Sequence, residues 1–497
     1  MMRSVPLRMV TLGVAVALAG CSFAPPARPP KAPEPASYTA TPTPPTSAEA
    51  AGVAQKFSLG TRAVPEWWKA YGSSELDALV DEGLQHSPSL DAARHTLESV
   101  RQQYRAQVGD ALWPSFDAAS QVGRQRALGL PNFGRPTNIY DVYAGQLQLS
   151  YDFDLFGVSR NEVKQAAAQV DSQSYQFDAA KRALAANIVI TAVRVSALAE
   201  QVSATERLSA LAREQMALAG KAHKLGAVAQ EDVLASQRSA ASIDASLPGL
   251  RAQALHERHA LAVLLGRTPD QAPAPLSLAS LTLPAEVPVL VPSDLLSQRP
   301  DVLAAEAAVR AASAQVGVAT GNMFPHFSLT ASLGTGAFDS AKLFTGAGTI
   351  WGATAGITQP IFHGGALRAQ RNAAVASYEA SISQYRQTVL GAFQNVADTL
   401  TALDQDALAL RAAQNGEVSA RQSFDDAQRR YRLGSASYPS TLASESGWQN
   451  ARVQAIQATA TRLMDTAALY QAMGTPVDET AGTQGGGVGA QRGQGER

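Results

Sequence analysis

Few residues in this 497-residue chain have the types and spacing that bond-making chemistry needs. The closest pair among its seven histidines is His256-Glu257-Arg258-His259. That spacing lacks the geometry of a helical zinc-protease motif, and on a polar helix it reads as a solvated face. No glycine-rich phosphate loop follows a strand, and no G-x-S-x-G occurs. Cys21 is the sole cysteine, which rules out an intrachain disulfide or a cysteine-based metal site. What remains is charge near chain turns. Lys224, Leu225 and Gly226 precede Glu231 and Asp232, and Tyr431-Arg432-Leu433-Gly434 precedes Glu445. Carboxylates gathered at a narrow opening repel anions and hold cations, and charge pairs between helices latch them together. Glu231 and Asp232 also suit a helix start through its dipole. These residues offer electrostatics at chain turns, with no enzymatic step, no metal and no cofactor expected.

The elements that must position these turns are long and occur twice. Leu225-Gly226 recurs as Leu433-Gly434, Leu234-Ala235-Ser236 as Leu442-Ala443-Ser444, and Leu265-Gly266 as Met473-Gly474. Upstream, Trp113-Pro114-Ser115-Phe116 matches Phe324-Pro325-His326-Phe327, and Leu155-Phe156-Gly157 matches Ile361-Phe362-His363. Each repeat reads as helix, two strands, long helix, helix. Leu90 to Leu112 is helical and stops before Pro114, since proline cannot continue the hydrogen-bond ladder. The period then changes to two. In Tyr143 to Phe153 the odd positions are aromatic, leucine or glycine, and the even ones polar or small. A weaker alternation covers Phe116 to Arg126, and the second repeat alternates over Phe327 to Gly334 and Trp351 to Thr358. These are four strands of about 10 residues, the length a tilted strand needs to cross a bilayer. No proline interrupts Val158 to Pro248 or Ile361 to Tyr438. A helix from Val158 to about Leu225 would be about 100 Å long, too long for a compact domain, and must pack side by side with others as a coiled coil. Each long helix stops at Leu-Gly, and a second returns, from Asp232 to about Leu265 and from Thr441 to about Ala472.

The N-terminus reads as a targeting segment. Arg3 and Arg8 precede a short apolar stretch, and Leu18-Ala19-Gly20-Cys21 resembles the lipobox of bacterial lipoproteins, in which the cysteine is lipidated after residues 1–20 are removed. Ser22 stands where an inner-membrane retention signal carries Asp, so the resemblance implies the outer membrane. Residues 21–60 begin with a Pro-, Ala- and Thr-rich stretch that reads as an extended tether. Trp67-Trp68 is expected to pack against the helical body, with membrane-interface anchoring as the alternative. The first repeat covers 61–270, a linker 271–298, the second repeat 299–475, and a disordered tail 476–497. No apolar run after the leader is expected to form a membrane helix. A formal net charge of −1 excludes nucleic-acid binding through bulk charge.

Strands crossing lipid cannot leave hydrogen-bonding edges unpaired, and four strands cannot close around a lumen. Copies must associate: two give eight strands, three give twelve. The lipobox, the repeat, the paired strands and the Leu-Gly turns together resemble the outer membrane factor family of TolC-like efflux lipoproteins, over about residues 60 to 475. The resemblance rests most on Arg430-Tyr431-Arg432-Leu433-Gly434, the proline-centred strand entries and Ile361-Phe362-His363-Gly364-Gly365. It implies an α+β membrane protein. That protein is a homotrimer, with a twelve-stranded β-barrel continuous with a long α-helical barrel, lipidated at Cys21 and held in outer-membrane lipid. It further implies that the helical turns (Lys224, Leu225, Gly226; Tyr431, Arg432, Leu433, Gly434) dock a periplasmic membrane-fusion adaptor and, through it, an inner-membrane RND pump. The expected function is passive, gated passage of drugs or small solutes. A duct for a secreted protein or peptide, and a non-conducting lipid-anchored coiled-coil scaffold, are the alternatives. In one respect the chain departs from the family. Ser440 and Ala443 occupy second-hairpin positions that are often Asp, so the gate is expected at Glu231, Asp232 or Glu445, or to be apolar or steric.

Overall fold

The computed structural model describes residues 23–477 apart from 30, 34, 41–43, 62–64 and 129–136. The leader, Cys21 and the C-terminal tail from residue 478 lie outside the described residues. The chain forms two compact units, one of residues up to 32, 96–174 and 304–387, the other of 33–95, 175–303 and from 388 onward.

The first unit holds four strands: β2 (Ser115–Leu128), β3 (Thr137–Phe153), β5 (His326–Ala337) and β6 (Thr349–Thr358), in antiparallel order β2-β3-β5-β6. Proline at 114 and 325 ends the helix before each hairpin, and alternation carries each strand onward. Register places like with like across the sheet. Ala118, Leu147, Leu333 and Trp351 form one row, and Phe153, Phe327 and Ile357 another, while Asp117, Gln148, Ser332 and Gly352 line up on the opposite face. The strands run longer than expected, chiefly because β2 and β3 continue to Leu128 and from Thr137. In the same unit the N-terminal stretch, expected as an extended tether, is pinned at two points. Ser313 Oγ donates to the Pro25 carbonyl at 2.7 Å and Tyr378 Oη to the Pro26 carbonyl at 3.0 Å.

The second unit is mainly helical. It takes α1 (Ser74–His86), the start of α2 (Pro88–Leu112), most of α3 (Val158–Lys224), all of α4 (Gln230–Leu264), α5 (Pro292–Gln298), the start of α6 (Pro300–Gly321), the later part of α7 (Ala366–Arg432) and all of α8 (Tyr438–Ala472). Its core is built from small and branched residues, among them Ala185, Val189, Val193, Leu403, Leu410 and Leu463, as closely spaced helices require. Trp67 and Trp68 are buried, with Trp67 stacked on Tyr470 at 4.8 Å, and the Tyr71 hydroxyl donates to the Leu463 carbonyl at 2.8 Å. A two-stranded parallel ribbon joins β1 (Lys56–Leu59) to β4 (Glu286–Val289) inside the segment read as a linker.

The long helices α3 and α7 have 67 residues each, and α4 and α8 have 35 each. Val158 to Ala366 and Leu264 to Ala472 are both steps of 208 positions, so the gapless register extends through the whole of both hairpins. All four helices end alike. Gly226, Gly266, Gly434 and Gly474 have positive φ. The residue after each donates to a carbonyl five positions back, as Ala227 does to Ala222 at 2.9 Å and Ser435 to Arg430 at 2.9 Å. This left-handed cap satisfies carbonyls the helix leaves open, and glycine adopts it without a Cβ clash. One expectation is corrected here: α3 and α6 are long and apolar enough to cross a membrane by length and composition. Most of each apolar window is buried inside the protein. Hydropathy alone cannot separate a core helix from a spanning one, because both lack charge over the same length.

Candidate pore wall and helical mouth

The first candidate site is the apolar face of the strand unit. Phe116, Val122, Leu147, Leu333, Trp351 and Ile357 all lie on it and are exposed. From Phe153 to Tyr143 the band spans about 34 Å along the strand at about 3.4 Å per residue, or about 25 Å of height at a tilt of about 40°. That is the height of a lipid-facing belt. Beyond it the face turns charged, with Arg124 3.6 Å from Asp141. β2 and β6 each have a neighbour on one side only, which leaves two rows of backbone donors and acceptors open to pairing.

The second candidate site lies in the helical unit, at the hairpin turns. Lys224 is the last residue of α3, and Leu225 beyond it is 84% exposed. Leu433, its counterpart, is 82% exposed after Tyr431 and Arg432 close α7. The Tyr431 ring lies 5.3 Å from that of Tyr438. Lys221 and Lys224 on one helix and Arg429, Arg430 and Arg432 on the other put positive charge at helix C-termini, where the dipole favours it. Glu231 and Asp232 sit in the first turn of α4. Asp232 accepts from the Ala229 N–H at 3.1 Å and so caps the helix, while Glu231 is exposed. Ser440 donates to the Ser437 carbonyl at 2.7 Å, within the cap of α8.

Glu445 is not at the turn. It is 8% exposed on α8, and it accepts from Arg207 Nε at 2.8 Å and Nη2 at 2.5 Å. Sequence reasoning missed its partner, and missed the two contacts that extend the same seam. The Tyr438 hydroxyl donates to Glu214 at 2.6 Å, and Gln215 donates to Ser446 at 3.5 Å. The hydrogen bond to Glu214 raises the Tyr438 hydroxyl above its ordinary pKa. Along this seam α3 of the first hairpin is tied to α8 of the second. A separate set ties α3 to α4: Asp244 accepts from Ser209 at 2.5 Å and Arg213 at 3.0 Å, and those bonds hold its carboxyl below the usual range. Tyr438-Pro439 at a helix start was the available signal for the first tie; nothing local marks Arg207.

His256 and His259 are exposed on α4. Glu257 between them pairs with Arg194 at 3.3 Å, and Arg258 donates to the Pro273 and Ala272 carbonyls. Among the described residues no group of three His, Cys, Asp or Glu side chains is placed to hold a metal.

The family model for outer membrane efflux proteins matches residues 79–267 and 291–475. The pyoverdine export outer membrane protein OpmQ of Pseudomonas aeruginosa is 31% identical over 427 residues, 83% of this chain and 87% of that protein. Outer membrane protein OprJ of the same species is 30% identical over 498 residues, 96% of this chain and 98% of that protein. The open-state structure of the MtrE outer membrane channel of Neisseria gonorrhoeae superposes with a TM-score of 0.72 at 26% identity, covering 92% of this chain and 99% of that one. With the family model spanning both repeats, an apolar sheet face of membrane height and paired helical hairpins behind one match, the chain belongs to the outer membrane efflux protein family.

Proposed function

We propose that this protein is the outer-membrane exit channel of a tripartite, RND-type efflux system, passing drugs or small solutes outward by passive, gated conduction. The observation that carries the proposal is an exposed apolar sheet face about 25 Å tall, bounded by two unpaired edges. In lipid such edges must close, and three copies close them as a twelve-stranded barrel with an even strand count. Cys21 carries the lipid anchor, and the long hairpins assemble as an α-helical barrel in the periplasm. The exposed Leu225 and Leu433, with their flanking cations, present the adaptor with an apolar tip ringed by positive charge. Purified protein in a planar bilayer tests conduction: discrete channels are expected, and a bilayer that stays silent with every mouth variant counts against the pore. Deletion of the gene is expected to sensitise its host to substrates of the partner pump.

The α3–α8 seam is where the mouth is held shut. Replacing Arg207 by Ala removes the partner of Glu445. A partly exposed tie of this kind is worth about 1 kcal/mol, so basal conductance should rise about fivefold. Unchanged conductance would move the constriction elsewhere. The carboxylates of Glu231 and Asp232 tune which ions enter. Glu231→Gln with Asp232→Asn keeps an acceptor for the cap while removing two charges per copy. The cation-to-anion permeability ratio, read from reversal potentials, is expected to fall towards unity.

A further inference from the structure

The internal repeat supplies a template for a contact that one copy cannot make. Within the strand unit, Phe156 in the turn between β3 and α3 stacks on Phe324 at the end of α6, with ring centroids 4.9 Å apart and planes 16° from parallel. The adjoining strands, β3 and β5, pair with Phe153 opposite Phe327. This is the junction from the first repeat to the second. In the repeat, Phe156 corresponds to Phe362, Phe324 to Trp113, β3 to β6 and β5 to β2. The corresponding halves are both present and both free: Phe362 is 86% exposed and Trp113 is 70% exposed. The helices tell the same story. Most of α6 from Ala304 to Gly321 is buried, whereas in its counterpart, α2 from Ala93 to Asp110, Leu97 alone is. We infer that Phe362 stacks on Trp113 of the neighbouring copy, forming an aromatic clasp that repeats between chains the junction made once within each chain.

Two details fit the step. Strand parity is kept: the apolar face uses even positions on β2 and odd positions on β3, β5 and β6. The offset from β2 to β5 is odd and that from β3 to β6 even, so the transferred register joins apolar face to apolar face, with Ala353 beside Val122. The turns differ in the sense the clasp needs. Gly321 lies so close to the β3–α3 turn that a Cβ there would sit 2.6 Å from Val158 Cγ2. Its counterpart is Asp110, which has a side chain to house. The turn that would face Asp110 is longer by three residues, and its Gly364 and Gly365 have φ of 58° and 84° with open space about them.

The inference rests on the trimeric reading, and the test separates the two. In the full lipoprotein in native outer membranes, Trp113→Cys with Phe362→Cys is oxidised and run on denaturing gels, beside each single variant. Native gels report assembly in parallel. Covalent dimers and trimers from the double variant alone are expected. Native trimers without the covalent bond overturn the clasp and leave the trimer standing; native monomers overturn both. Should the double cysteine variant not assemble, benzoylphenylalanine at 362 keeps a ring in place. Photolinking to the peptide containing Trp113 supports the clasp. Linking only to lipid, as an interfacial aromatic belt predicts, or to another peptide overturns it.

Discussion

Replacing Arg462 by methionine should cost about 3–4 kcal/mol of stability, one of the two largest losses expected from a single substitution in the helical unit. Arg462 sits on α8 and is 1% exposed. Burial lowers its pKa, while the carboxylates of Asp406, Asp404 and Asp465 hold it up. Among these four groups it is the only cation, and its removal leaves three half-buried carboxylates without their counter-charge. Asp406 shows the strain already. Burial pushes its carboxyl up to about 7, with contact to Asp465 adding to the rise and Arg462 opposing it. Asp406 Oδ2 is buried without a donor, and a proton shared with Asp465 supplies one. The two acids therefore titrate as a pair. The sign follows from linkage. A carboxyl whose folded pKa lies above its unfolded one binds its proton more tightly when folded, so stability is full below about pH 4. It drains away as pH climbs to about 7 and is level beyond. Asp406→Asn mimics the protonated acid. It should match the native chain at about pH 4 and exceed it by about 1–2 kcal/mol at pH 8, after discounting for partial solvent access. Thermal dissociation midpoints at the two pH values check this. A native midpoint that rises between them would reverse the assignment.

How much of this was written in the sequence depends on range. Elements set by neighbours along the chain were legible. Pro114 and Pro325 end helices, alternation from Tyr143 to Phe153 marks a strand, and Leu225-Gly226 and Leu433-Gly434 mark caps. Each is fixed by torsions or period within a few residues. Contacts set by residues far apart were not. The parallel pairing of Lys56–Leu59 with Glu286–Val289 joins two four-residue strands across some 230 positions, too short for a period to show. Arg462 looks in sequence like one more solvated helical charge, and only packing by α7 buries it. Glu445 looked like a free acid near a turn, and Arg207 lies on another helix altogether. The candidate mouth was legible as charge next to a glycine; the α3–α8 seam was not.

The four capping glycines separate into two classes, and the separation predicts the second large effect. A Cβ built at Gly226 or Gly434 meets nothing within 4 Å. Alanine there carries only the cost of left-handed backbone, about 1–2 kcal/mol. At Gly266 the same Cβ would stand 2.3 Å from the His86 carbonyl oxygen and 3.1 Å from its carbon. Those are backbone atoms at the junction of α1 and α2, and they cannot swing aside. Arg267, the next residue, fixes that junction further through two bonds to Glu82, at 2.5 and 2.6 Å. Gly266→Ala should therefore cost about 3–5 kcal/mol, strain and overpacking together. Gly474 falls between, since its Cβ would stand 3.0 Å from Arg299 Cγ and 3.2 and 3.3 Å from the backbone atoms Arg299 Cα and Gln298 O, tight but well short of the clash at Gly266. The expected order of thermal midpoints is Gly226→Ala and Gly434→Ala highest, Gly474→Ala next, Gly266→Ala lowest; equal midpoints at 226 and 266 would refute the distinction. The same order bears on function. Gly266 and Gly474 are packed against the rest of the chain, whereas a Cβ at Gly226 or Gly434 would stand in open space. A tip that the fold does not need for its own packing is free to be shaped for a partner. If the proposed exit-channel function holds, alanine at 226 or 434 should therefore weaken adaptor binding in protein that keeps a near-native thermal midpoint.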